Sequence, residues 1–153
     1  MERPGQIVVF ALDDRFYGLR LSAVEQAVRM VDVTPLPQAP DIVRGVIDVQ
    51  GRVVPVFDLR RRFCLPQRPA SVHDKLILAH TARRPVALVV DAVHGVREYT
   101  APVMAVADIV PGIEHVEGVV RLDDDLILIH DLDRFLSLDE ERALDRALSG
   151  GGE

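Results

Sequence analysis

The stretch Gly45-Val-Ile-Asp-Val-Gln-Gly-Arg-Val-Val-Pro-Val-Phe-Asp-Leu59 decides the fold, because a version of it occurs twice. It aligns without a gap on Gly118-Val-Val-Arg-Leu-Asp-Asp-Asp-Leu-Ile-Leu-Ile-His-Asp-Leu132, 73 positions later. Each copy opens on Gly, runs through two apolar segments about a polar tip, and ends in Asp-Leu. Gln50-Gly51 at the first tip fits a two-residue hairpin turn, since Gly accepts φ > 0 without a Cβ clash. The second tip carries Asp123-Asp124-Asp125, and Asp forms turns readily. Pro55 cannot donate to a ladder, so its strand is expected at a sheet edge or at a bulge.

Working outward, a weaker match joins residues 7–27 to residues 76–96, with Ser22-Ala-Val24 against Asp91-Ala-Val93. Further apolar runs at Ile7–Leu12, Phe16–Leu21, Lys75–His80 and Val86–Val90 are short and regularly spaced, with Asp13-Asp14 linking the first two. That is the pattern of a β-sandwich or barrel rather than of βαβ units. Val and Ile make up 32 of 153 residues, and these side chains favour strands. The sequence therefore predicts a mainly β protein made of two small units related by duplication. The first covers about residues 13–74 and the second about 75–136, with strands such as 5–12 open to exchange between them. Ser137-Leu-Asp-Glu140 is a capping-box pattern, and Leu144, Ala147 and Leu148 form an apolar stripe. A C-terminal helix is expected over about 137–148, followed by a fraying tail at 149–153.

The length suits one domain. The 24 acidic residues against 18 basic ones give a net charge of −6, which argues against wrapping nucleic acid or binding membranes through a basic surface. No apolar run approaches the roughly 18 residues of a membrane-spanning helix. No apolar segment of a secretory signal follows Met1-Glu-Arg-Pro-Gly5. A single cysteine excludes an intrachain disulfide and a cysteine-based zinc site, so a reducing cytoplasm is the expected address.

His130-Asp131 with Asp123–Asp125 is the best metal or acid–base candidate. Strand alternation sends His130 and Asp131 to opposite faces, and the aspartates read as turn formers, so no metal is expected. His73, His80, His94 and His115 lack ligand spacing and read as surface or loop residues. Cys64 reads as a small buried apolar residue. Arg60-Arg61-Arg62 reads as the solvated face of a short helix. No catalytic residue and no cofactor are expected. Leu21, Val24 and Ala27 recur every three residues, and Val93 and Val96 hold similar places in the second half. They either fill the barrels and the seam between them or stay exposed as a docking groove.

Gly5–Leu12, Phe16–Leu19, Gly45–Arg60, Val89–Val93 and Ile127–Leu132 together resemble the CheW family, the coupling proteins of bacterial chemosensory arrays. The resemblance spans about residues 5–148 and treats 1–153 as a single CheW-like domain. It implies two SH3-like five-stranded barrels plus the C-terminal helix, and no catalysis. It implies a scaffold that joins the cytoplasmic tips of methyl-accepting chemoreceptors to the regulatory domain of a CheA-type histidine kinase. Neither nucleic acid nor membrane insertion is implied, and the address would be cytoplasmic at receptor arrays. The family's receptor groove maps onto Leu21, Val24, Ala27, Val93 and Val96. Its kinase-facing surface maps onto Arg44, Gly45, Asp48 and Gln50. The family commonly has Glu at the position of Gln26 and Arg at that of Gln50, near enough to pair; here both are amides, a neutral coupling pair. Alternative readings are an adaptor of a divergent, non-flagellar chemosensory pathway, or a small-ligand sensor using the inter-barrel cleft.

Overall fold

The computed structural model describes residues 5–69, 71–99 and 116–150. His115 and the end of the tail, 151–153, lie outside them. The strands are β1 (Gly5–Leu12), β2 (Arg15–Arg20), β3 (Val24–Arg29), β4 (Val43–Val49), β5 (Arg52–Asp58), β6 (Lys75–His80), β7 (Pro85–Val90), β8 (Ala92–Tyr99), β9 (Val116–Leu122) and β10 (Asp125–His130). The helices are α1 (Leu59–Arg62) and α2 (Leu138–Gly150), so α2 runs two residues beyond the expected end. Hairpin turns fall where the sequence predicts them. Asp13, Gln50, Gly51 and Asp123 all take positive φ there, and Asp48 Oδ1 accepts from the Gly51 N–H at 2.9 Å.

Two five-stranded sheets result, ordered β8-β1-β2-β10-β9 and β3-β6-β7-β5-β4. Replacing each strand by its counterpart in the other repeat turns one order into the other. Each sheet therefore takes a leading hairpin from one repeat and three strands from the other. Hairpin β1–β2 joins β8, β9 and β10; hairpin β6–β7 joins β3, β4 and β5. The expected division into 13–74 and 75–136 does not describe the sheets. One sheet is the continuous segment 24–90, and the other combines 5–20 with 92–130. The reason lies at the crossovers. The chain leaves β2 through a single 3-10 turn, Leu21–Ala23, and leaves β7 through Asp91 alone. Neither connection holds a positive-φ residue, which the tightest hairpins require. The chain therefore passes on to the opposite sheet at both points.

Strands β3 and β8 were not expected from sequence, and a bulge in each explains why. The β3–β6 ladder slips between Val24 and Gln26. The β8–β1 ladder slips between Gly95 and Val93, where Gly95 takes φ +90. A bulge adds a residue and breaks the two-residue alternation by which a strand is recognised.

Pro55 lies on β5, second from the edge rather than at it. Its counterpart 73 positions on, Leu128, pairs with Tyr17 in the parallel β10–β2 ladder. The matching β5–β7 ladder begins one residue later, at Val56 with Ala87. At Pro55 the strand has a neighbour on one side only, β4, through Val46, which spares the missing N–H.

Three apolar clusters follow from this topology. One lies within each sheet: Ile47, Val54, Val56, Leu76 and Leu78 in the first, and Ile7, Val9, Val120, Ile127 and Ile129 in the second. The third lies between the sheets. It joins Phe10, Leu12, Tyr17 and Leu19 to Phe57, Ile77, Leu88 and Val90, and takes in Phe135 and Leu144. Helix α2 follows β10 yet ties itself to the opposite sheet. Arg62 Nη2 meets Glu140 Oε2 at 2.6 Å, and Arg84 meets Glu141 at 3.0 Å and also Asp145. The predicted capping box forms, with the Glu140 N–H donating to Ser137 Oγ at 3.1 Å and the Ser137 N–H to Glu140 Oε1 at 2.9 Å.

Candidate functional site

Cross-strand partners share a face of a sheet. Val24 pairs with Ala79 and Ala27 with Ile77, and both partners belong to the cluster between the sheets. Val93 pairs with Phe10, a member of the same cluster, and Val96 with Val8. Val8 and Phe10 lie two apart on β1 and so on one face. The bulges thus place residues three apart on the same side, which accounts for the spacing of Val24 and Ala27 and of Val93 and Val96. They form at corresponding positions of the two repeats, so β3 and β8 present matching pairs. Both strands end their sheets. Val24 and Val93 are half-buried against the shared cluster. Ala27 is exposed, and Val96 is 51% exposed. Leu21, in the crossover turn, is half-buried. The inner residues thus seal the seam, and the outer ones leave an exposed apolar rim beside it.

Beside this rim, charged side chains fasten the two sheets together. Asp91, the crossover between β7 and β8, accepts through Oδ2 from the Asp13 N–H at 2.6 Å and from Arg60 Nη2 at 2.7 Å. Through Oδ1 it accepts from Arg68 Nη2 at 2.5 Å. Arg60 Nη2 also donates to Asp13 Oδ1 at 2.8 Å, and Nη1 to the Pro66 carbonyl at 3.0 Å. Arg68 continues to Asp74 Oδ1 at 2.6 Å. Asp58 caps α1 by accepting from the Arg60 N–H at 3.1 Å and meets Arg44 Nε at 3.4 Å. Burial raises the Asp91 carboxyl's pKa, but the Asp13 N–H and the Arg60 and Arg68 guanidiniums outweigh it and hold the group below its ordinary value.

This geometry corrects two expectations. The run Arg60-Arg61-Arg62 is not a solvated face: Arg60 is 5% exposed, Arg62 holds α2, and Arg61 alone of the three is exposed. Cys64 is exposed, not buried. It takes φ +58 just after α1. Its N–H donates to the Arg61 carbonyl, and that of Leu65 to the Arg60 carbonyl. That is the helix-ending motif usually completed by Gly.

The residues mapped to a kinase-facing surface separate. Asp48 and Gln50 are exposed at the β4–β5 tip, and Arg44 is half-buried. Gly45 is buried, and a Cβ there would stand 2.1 Å from the Thr34 carbonyl oxygen. It serves the close pairing of Thr34 with Val46. Gln26 is exposed on β3. His130 is 3% exposed and stacks on Phe63 at 4.4 Å, with Tyr17 at 5.4 Å. Among the described residues no group of three or more His, Cys, Asp or Glu is placed to hold a metal.

Residues 6–140 match the family described as the CheW-like domain. The chain belongs to that family. It is 24% identical over 148 residues to the chemotaxis protein CheW of Treponema pallidum, covering 91% of this chain and 86% of the other. It is 29% identical over 154 residues to the protein FrzA of Myxococcus xanthus, covering 94% and 93%. The crystal structure of the scaffolding protein TtCheW from Thermoanaerobacter tengcongensis superposes with a TM-score of 0.82 at 30% identity, covering 90% of this chain and 96% of that one. The two curled sheets are accordingly the two SH3-like barrels of a CheW-like protein. Its function is that of a non-catalytic chemotaxis coupling scaffold, joining components of a chemosensory array. Among the described residues no helix is long and apolar enough to cross a membrane.

Proposed function

We propose that this CheW-like chain couples the cytoplasmic tip of a methyl-accepting chemoreceptor to the regulatory domain of a CheA-type histidine kinase, and that it is recruited to the array by doing so. The receptor lies along the rim formed by Leu21, Val24, Ala27, Val93 and Val96. The observation that carries this reading is the pair of equivalent bulges, which turn matching apolar residues of β3 and β8 to one side. An apolar helix face in an apolar groove is a recurring recognition mode.

The kinase surface is the β4–β5 hairpin, with Arg44, Asp48 and Gln50 as its polar contacts. Gln26 and Gln50 act together in setting partner choice. In the other barrel the corresponding elements are β8 and the β9–β10 tip, which Arg97 and Asp123 bridge at 2.9 Å. That pair supports a comparable closeness of β3 to the Gln50 turn.

The experiment is pull-down by a receptor-tip fragment and, separately, by the kinase regulatory domain. Val96→Asp should abolish receptor capture and leave kinase capture and the melting temperature unchanged, because Val96 is half in solvent. Retained receptor capture would remove the groove from the proposal. Gln50→Arg should weaken coupling, and adding Gln26→Glu should restore part of it. Strictly additive effects would mean that the two glutamines act apart.

A further inference from the structure

We infer that the Asp91–Arg60 cluster is the joint that fixes the angle between the barrels, and that it thereby positions β8 against β3 for docking; this rests on the groove reading above. Asp91 is the whole connection between β7 of one barrel and β8 of the other. Its partners come from both sides. Asp13 belongs to the β1–β2 turn of the barrel that β8 enters, while Arg60 and Arg68 belong to the barrel that the chain leaves.

Arg60 spans the boundary twice over, gripping Asp13 and Asp91 through one terminal nitrogen. The first backbone contact beyond the joint, the Asp91 N–H to the Ala11 carbonyl at 3.0 Å, starts the run in which Val93 meets Phe10. Ser22 holds the corresponding place at the other crossover. There the Ala82 N–H donates across the seam to Asp133 Oδ1 at 2.7 Å, whereas the Asp91 cluster of paired charges lies at the crossover into β8, the strand whose rim carries Val96.

The charges also balance. Arg44 and Arg61 face Asp58, and Arg60 and Arg68 face Asp13, Asp74 and Asp91; the Arg60 backbone N–H to Asp58 joins the two sets. With Arg60 and Asp74 buried, losing one member leaves an opposite charge uncompensated at the seam. The contacts can then rearrange without unfolding either barrel, because each barrel keeps a cluster of its own. Asp91, Arg60 and Arg68 are positioning residues in this account, since none of them belongs to the apolar rim.

Spin labels test the joint directly. Arg52→Cys on one barrel and Asp124→Cys on the other, in a Cys64→Ser background, report the distance between the two hairpin tips. Asp91→Asn and Arg68→Gln should each broaden and shift that distance distribution at temperatures well below unfolding. Both should weaken binding of a receptor-tip fragment by about three- to thirtyfold, the range over which residues off a site modulate coupling. Arg60→Lys, which retains the charge but not the fork, should fall between these and wild type. Kinase-domain binding through the β4–β5 hairpin should stay within about twofold of wild type if the joint acts on the groove alone.

An unchanged distance distribution in the variants would overturn the joint, and so would a changed distribution with receptor affinity intact. If Asp91→Asn fails to fold, Arg68→Gln decides, since Arg68 is one-third exposed and its loss leaves the Arg60–Asp91 contact in place. Val96→Asp in the same binding assay separates the two ideas. If it binds receptor normally, the groove reading fails, and the distance measurement still judges the joint.

Discussion

Gly45 and Thr34 approach so closely that a side chain on residue 45 would overlap the Thr34 carbonyl, with a Cβ-to-oxygen distance of 2.1 Å. The approach is backbone pairing: the Thr34 N–H donates to the Val46 carbonyl at 2.9 Å, and the Val46 N–H returns to Thr34 at 2.8 Å. These bonds carry the chain beyond β3 onto β4. Gly45→Ala must displace the Thr34 backbone, and with it these bonds, and push Val33 aside as well. A loss of about 2–4 kcal/mol is expected from such a clash, read as the denaturant midpoint. The exposed tip substitution Asp48→Ala should cost under about 1 kcal/mol by comparison.

Cys64 is expected to be a position where a smaller residue helps. It holds left-handed backbone at the end of α1, where a β-carbon costs roughly 1 kcal/mol relative to Gly. Cys64→Gly should raise stability by about 0.5–1 kcal/mol, reduced by the extra freedom of Gly in the unfolded chain. A lowered melting temperature would mean that the thiol makes contacts worth more than the strain.

Two partly buried carboxylates should contribute to the acid limb of stability. Asp91 and Glu140 are both held below their ordinary pKa values. For Glu140, burial acts upward, while the Ser137 N–H and Arg62 outweigh it downward. The unfolded chain therefore binds more protons than the folded one as pH falls toward and below about 4. The stabilisation is complete above the unfolded pKa values and disappears as pH drops through the folded ones. Asp91→Asn and Glu140→Gln should each flatten this limb in urea titrations between about pH 5 and 2, leaving stability at pH 7–8 lower but level.

Arg62 and Glu140 tie α1 to α2 with both side chains about three-quarters buried. A double-mutant cycle with Arg62→Met and Glu140→Gln should return a coupling of about 1 kcal/mol, above that of an exposed pair. A coupling near zero would assign the docking of α2 to Leu144 and Ala147 alone.

Much of this architecture was legible because it rests on local rules. The hairpin tips announced themselves through Asp13, Gly51 and Asp123, and the capping box at Ser137 through its spacing. The repeat put Asp58 and Asp131 in register, and each caps the turn that follows it. Strands β3 and β8 escaped because their bulges replace alternation with a three-residue spacing. The burial of Arg60 escaped for another reason. Its partners Asp13 and Asp91 lie 47 and 31 residues away, and nothing in the run of three arginines says which one turns inward. An exchange of the strand at 5–12 was open from the sequence, but the pairing of both whole hairpins across the repeats was not, since the same residues satisfy either arrangement.

The exchange of hairpins has a consequence for how the chain could be taken apart. A cut in the loop ahead of β6, between the two repeats, does not release two barrels. It yields fragments that each hold a hairpin needing the other's three strands. Neither fragment should fold alone, and mixing them should restore the complete molecule as a one-to-one complex. By the same logic, a single ancestral repeat would have completed its barrels only as a pair of interlocked chains. Fusion of two such copies would turn an encounter that depends on concentration into one that happens within the molecule.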